Sequence, residues 1–79
     1  MESGLTFRVG KKIQKIEDLV IGSYYKFYEE IYLYCGHCEP FANAYAFVLP
    51  IGTLYMNRAQ VVEVIEKEGM RIAKICKGV

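Results

Sequence analysis

Four residues near the middle of the chain, Cys35-Gly36-His37-Cys38, carry its clearest chemical potential. Two thiols three positions apart can close a disulfide within one turn, and the same spacing supplies half of a four-ligand zinc site. As a zinc knuckle, Cys35 and Cys38 take Cys76 as a third ligand. His37, inside the knuckle, binds only with strain alongside both cysteines. The plainer alternative leaves Cys35 as a small hydrophobe, places Cys38 and His37 in a loop and puts Cys76 in the last strand.

The stretch YCGHCEPF resembles the active-site motif of the protein disulfide isomerase branch of the thioredoxin family. The resemblance implies an α/β fold, a truncated thioredoxin-like one. Ile31–Tyr34 would be the incoming strand and Phe41–Leu49 the outgoing helix. It also implies Cys35 as nucleophile, Cys38 as resolving thiol and His37 as a cation that favours the thiolate. Tyr34 stands where that family has Trp. Pro50 is only twelve residues past Cys38 and no Pro follows it, where the family has a cis-Pro strand well downstream.

Other chemistry is sparse. There is one Asp, one His and two Ser, with no motif around either serine and no Gly-rich phosphate loop. With catalysis poorly provided for, a non-enzymatic binding module is the preferred reading. It acts through an aromatic-rich β surface on a protein partner or on itself, as an adaptor, subunit or inhibitor. The expected binding residues are Tyr25, Phe27, Tyr32 and Tyr34, because Tyr gives large contact area at low entropic cost. A thiol function at Cys35 and Cys38, redox or zinc, is the alternative. Single-stranded nucleic acid, stacked on the same rings with Lys26 nearby, is a third, set against a net charge of only +1. No cofactor is expected apart from that zinc.

The elements that must hold these residues follow from patterning. Seventy-nine residues make one small domain, 1–79, with 1–5 a loose end, and 53% apolar composition gives it a core. Thr6–Val9 reads as a strand closed by Gly10. The run from Ser23 to Cys35 is dense in Tyr and Phe and reads as a hairpin with its tip at Glu29-Glu30. That register pairs Phe27 with Tyr32 and Tyr25 with Tyr34. Strand alternation then puts Tyr25, Phe27, Tyr32 and Tyr34 on one face, and Tyr24, Lys26, Tyr28, Ile31, Leu33 and Cys35 on the other. The second face is the expected core, because its aliphatics Ile31 and Leu33 have no polar atom to satisfy.

Two segments are ambiguous. Residues 40–49 fit a helix from Pro40 or a buried strand over Tyr45–Leu49. Residues 57–69 fit a helix capped by Asn57 and Gln60 and ended by Gly69, or a hairpin pairing Val61–Glu66 with Met70–Cys76. The β-branched run Val61, Val62, Val64 and Ile65 favours the hairpin. Five or six short strands close most simply into a small barrel, and DLVIGSYYKF resembles the Leu-x-x-Gly strand entry of SH3-like barrels over about ten residues. That likeness transfers no function.

Charge is segregated. Residues 1–16 carry Arg8, Lys11, Lys12 and Lys15 against Glu2, residues 17–39 are acidic, and Arg71, Lys74 and Lys77 close the chain. The expected outcome is that both basic ends fold back onto the acidic middle, in preference to forming one basic face. Residues 40–57 are eighteen uncharged positions, but Pro40, Pro50 and Gly52 make them a poor spanning helix. An odd cysteine count and no basic-then-apolar leader point to a reducing cytoplasm.

Overall fold

The computed structural model describes residues 6–37 and 44–76. Six strands form one antiparallel sheet: β1 (Thr6–Lys12), β2 (Tyr24–Phe27), β3 (Glu30–His37), β4 (Tyr45–Leu49), β5 (Gly52–Met56) and β6 (Arg71–Cys76). Their spatial order is β1-β6-β2-β3-β4-β5. One short helix, α1 (Arg58–Glu63), leads into a wider π-helical turn over Val64–Glu68, and a 3-10 turn spans Ile16–Asp18. The mostly-β expectation holds. The sheet is not closed, however: β1 and β5 are its two edges, so the expected SH3-like barrel does not form.

The aromatic hairpin is present, with a different tip. Tyr28 and Glu29 occupy its two-residue turn, with φ of 53° and 63°, and Phe27 pairs with Glu30 and Tyr25 with Tyr32. Both turn residues take positive φ, as a tight turn matched to strand twist demands, although neither is Gly or Asn. The tip sits one residue earlier than expected, which slides the pairing by two positions. A slip of two keeps every side chain on its face, so the predicted grouping of the four rings survives.

Residues 45–49 resolve to a strand, with Pro50 and Ile51 turning into β5. The chain after β3 therefore returns antiparallel, and the helix that a thioredoxin-like fold requires over 41–49 is replaced by β4 in its described part.

The expected hairpin of 61–66 with 70–76 is overturned. Residues 58–68 are helical, and β6 pairs instead with β1 and β2. The caps decide locally. The Gln60 N–H donates to Asn57 Oδ1 at 2.8 Å, and the Asn57 N–H donates to Gln60 Oε1 at 2.9 Å. Gly69, at φ 81°, donates its N–H to the Val64 carbonyl at 2.8 Å and ends the helix. The β-branched residues that argued for a strand serve as the helix's buried side: Val61, Val64 and Ile65 are all in the core.

That core lies between the helix and one face of the sheet. It contains Tyr25, Phe27, Tyr32, Tyr34, Tyr45, Phe47 and Met56 from the strands, with Ile13, Ile16 and Met70 from the connections. Phe47 is fully buried and meets three rings, Phe27 at 5.2 Å, Tyr34 at 5.1 Å and Tyr32 at 6.2 Å. Phe27 and Tyr32 stack at 4.2 Å.

Phe47→Ala should therefore cost about 3–5 kcal/mol, a large part of the stability of a domain this small. Chemical denaturation reads this directly. Glu29→Gly should have the opposite sign, because it relieves a left-handed residue in the turn. A gain of about 1 kcal/mol is expected in the same measurement.

Candidate functional site

The structure brings Tyr25, Phe27, Tyr32 and Tyr34 together on one face, and it buries them there. Their exposures are 2, 3, 4 and 6%, beneath the helix, so the face expected to be a half-wet contact is core. The argument from unsatisfied hydroxyls fails because partners exist. The Val20 N–H donates to the Tyr25 hydroxyl at 2.8 Å, which also ties down the loop before β2. Burial holds the phenols of Tyr32 and Tyr34 above the ordinary tyrosine range, with Glu30 and Tyr28 adding to the first and Tyr45 and Tyr25 to the second. These rings cannot serve as stacking platforms for bases without the helix leaving.

The thiols are placed in part. Cys35 is exposed at a β-bulge, where β3 shifts register between Tyr34 and Gly36, so it is not the small buried hydrophobe of the plainer reading. Cys38 lies outside the described residues. Cys76, half-buried at the end of β6, has the Arg8 guanidinium 4.0 Å from its sulfur. β2 lies between β3 and β6, so Cys35 and Cys76 stand two strand spacings apart, about 10 Å. Among the described residues no three His, Cys, Asp or Glu side chains converge where a metal could sit.

What remains open is the opposite face of the sheet. One transverse row crosses all six strands: Val9, Ala73, Tyr24, Leu33, Val48 and Thr53. Towards one end lie Phe7, Ile75, Ala46 and Tyr55; towards the other lie Lys12, Arg71, Lys26 and Ile31. None of these belongs to the cluster under the helix, although the small Ala73 and Ala46 are themselves buried, at 2 and 4% exposure. Val9, Ile75 and Tyr55 are 39, 41 and 47% exposed. Phe7 and Tyr24 pack ring to ring at 5.1 Å. The face is apolar across its middle, cationic at one end, and free of acids among these residues. Sequence reasoning grouped its hairpin members Tyr24, Lys26, Ile31 and Leu33 but took them for core, since alternation groups residues without saying which group the helix covers.

The basic segments behave differently from expectation too. β1 and β6 pair with each other, so Arg8, Lys11, Lys12, Arg71 and Lys74 share one ribbon that holds no acid. Arg8 sits directly across from Lys74. Among the described residues the ion pair is elsewhere: Arg58 to Glu17 at 3.2 Å, joining the start of α1 to the 3-10 turn with both ends exposed. Its own backbone and Arg58 hold Glu17 below the usual carboxylate range. No helix among the described residues is long and apolar enough to cross a membrane.

Alkaline pH should expose the buried phenols. Their folded-state titration lies above that of the unfolded chain, so the stability they contribute is complete below about pH 10 and is lost as pH rises through the folded values. Denaturation midpoints should fall above about pH 10. In Tyr32→Phe/Tyr34→Phe the fall should be shallower, and an equally steep fall in that variant would show that other groups carry it.

Compared with known proteins, the chain matches no family model, no curated protein and no solved structure.

Proposed function

We propose that the chain is a non-enzymatic interaction module, a subunit whose open sheet face takes a second copy of itself. The observation that carries this is the row Val9–Ala73–Tyr24–Leu33–Val48–Thr53 on the face away from the helix, with Val9, Ile75 and Tyr55 exposed on that face. Isolated surface hydrophobes are ordinary, but a contiguous apolar face marks a contact. Six strands at about 4.8 Å spacing, averaging about 20 Å in length, give a face of about 500 Å² in plan before side-chain corrugation is added. A standard interface uses about 800 Å² of accessible surface per partner, so this face is of the right order.

Charge supports a particular arrangement. Two sheets packed face to face keep their strands nearly aligned, about 10 Å apart. A two-fold axis in the interface, perpendicular to the strands, reverses one copy end for end. Lys12, Arg71 and Lys26 of one copy then lie over the end of the other that holds Phe7 and Ile75, where cations meet an aromatic face rather than one another. The odd cysteine count and the free thiols of Cys35 and Cys76 support a cytoplasmic setting.

Sedimentation across a concentration series tests this. The wild-type chain should be dimeric. Leu33→Glu, in the middle of the face, and the milder Ile75→Ser should weaken the dimer at least tenfold with unchanged circular dichroism. A wild-type chain that stays monomeric at every concentration sinks the second-copy reading and leaves the face to an acidic protein partner.

A further inference from the structure

The helix covers its side of the sheet unevenly. The cluster beneath it draws on the rings of β2 to β4 and on Met56 of β5, while β1 and the end of β6 are mostly exposed. In that shoulder is a groove of about 380 Å³ lined by Arg8, Gly10, Lys11, Ile72 and Lys74. Ile72 shares the face of Tyr25, its partner on β2, so the groove opens on the helix side and not on the apolar face described above. The register shift of β1 between Val9 and Lys12, at Gly10-Lys11, lies beside it. Three of its five lining residues are cations and none is an acid.

Two features separate this groove from an ordinary solvated patch. Arg8 and Lys74 are direct cross-strand partners, and like charges in that position destabilise a sheet. Neither has an ion-pair partner among the described residues. The only described contact of the Arg8 guanidinium is the Cys76 sulfur at 4.0 Å, a weak acceptor that leaves its donors largely unspent. The ribbon as a whole carries five cations and no acid, so within a chain of net charge +1 the rest is net −4. A chain of nearly neutral total charge thus presents a strongly polarised surface.

We propose that this groove binds single-stranded nucleic acid, with phosphates on Arg8, Lys11 and Lys74 and a base on the Ile72–Gly10 floor. A guanidinium and two ammonium groups match phosphate oxygens. The apolar floor between them suits a planar base one link away from each phosphate, a pairing of ring and anion that a single strand repeats at every nucleotide. The volume is in the range of pockets that hold a small organic unit, about 300–1,000 Å³. The open side at edge strand β1 lets a polymer enter and leave. This site differs in face and residues from the one proposed for self-association, so each stands or falls alone.

The test is fluorescence anisotropy with a short labelled oligothymidylate, repeated over a salt series. Binding should weaken with salt at a slope of about −2 in log–log form, the value for three phosphate contacts on a single strand. Arg8→Ala and Lys74→Ala should each cut affinity at least tenfold. Both should leave the folded chain as stable as wild type or more stable at low salt, because each removes one member of a repelling pair. Leu33→Glu, on the other face, should bind as wild type does. No binding at low salt overturns the proposal, as does binding that survives Arg8→Ala/Lys74→Ala. Equal binding of polyglutamate or of anionic phospholipid vesicles overturns the assignment to nucleic acid.

Discussion

The structure depends on one packing event: a helical segment of about three turns, residues 58–68, seated on six aromatic rings of the sheet. Without Val61, Val64 and Ile65 above them, Tyr25, Phe27, Tyr32, Tyr34, Tyr45 and Phe47 would face water together. The helix does for this sheet what the far wall does for a barrel: it buries the rings while the sheet keeps two edges, β1 and β5. The same solution leaves the reverse face uncovered. The core and the candidate contact surface are therefore two consequences of one choice, the side on which the helix docks.

Much of the fold was legible in the sequence. The β2–β3 hairpin follows from its density of Tyr and Phe, and alternation grouped the rings correctly even with the tip misplaced. The capping pair Asn57 and Gln60 and the terminator Gly69 were visible as one of two readings. What tipped the choice wrongly was propensity. Val61, Val62, Val64 and Ile65 favour strands intrinsically, but burial against a ring surface outweighs a few tenths of a kcal/mol per residue. The choice of core face failed for a related reason. It assumed that buried tyrosines lack partners, whereas the partner of Tyr25 is a backbone N–H of Val20 in a loop whose path no pattern specifies.

The thiol motif shows the limit of a local likeness. The resemblance to the thioredoxin family calls for a helix after the motif, and Cys38 itself lies outside the described residues. Here β3 carries Cys35 on a bulge and the chain returns as β4. Spacing was visible in the sequence; the direction of the returning chain was not. The basic segments make the converse point. Their charges were plain, and their pairing with each other depended on β6 slipping between β1 and β2, a long-range fact with no local signature.

That insertion has a kinetic meaning. β2 to β5 form a meander of neighbours that can pair soon after each is synthesised, but β2 must keep one edge unpaired until residues 71–76 exist. Among the described strands β1 neighbours β6 alone, so it cannot be placed before β6 is. Pairs such as Thr6 with Cys76 close loops of almost the whole described chain, which raises contact order and slows folding relative to a simple meander. During that interval the bare edge of β2 is a template for a strand from another molecule. The cations of β1 then have a second use: Arg8, Lys11 and Lys12 keep the unplaced β1 strands of neighbouring copies from pairing with one another.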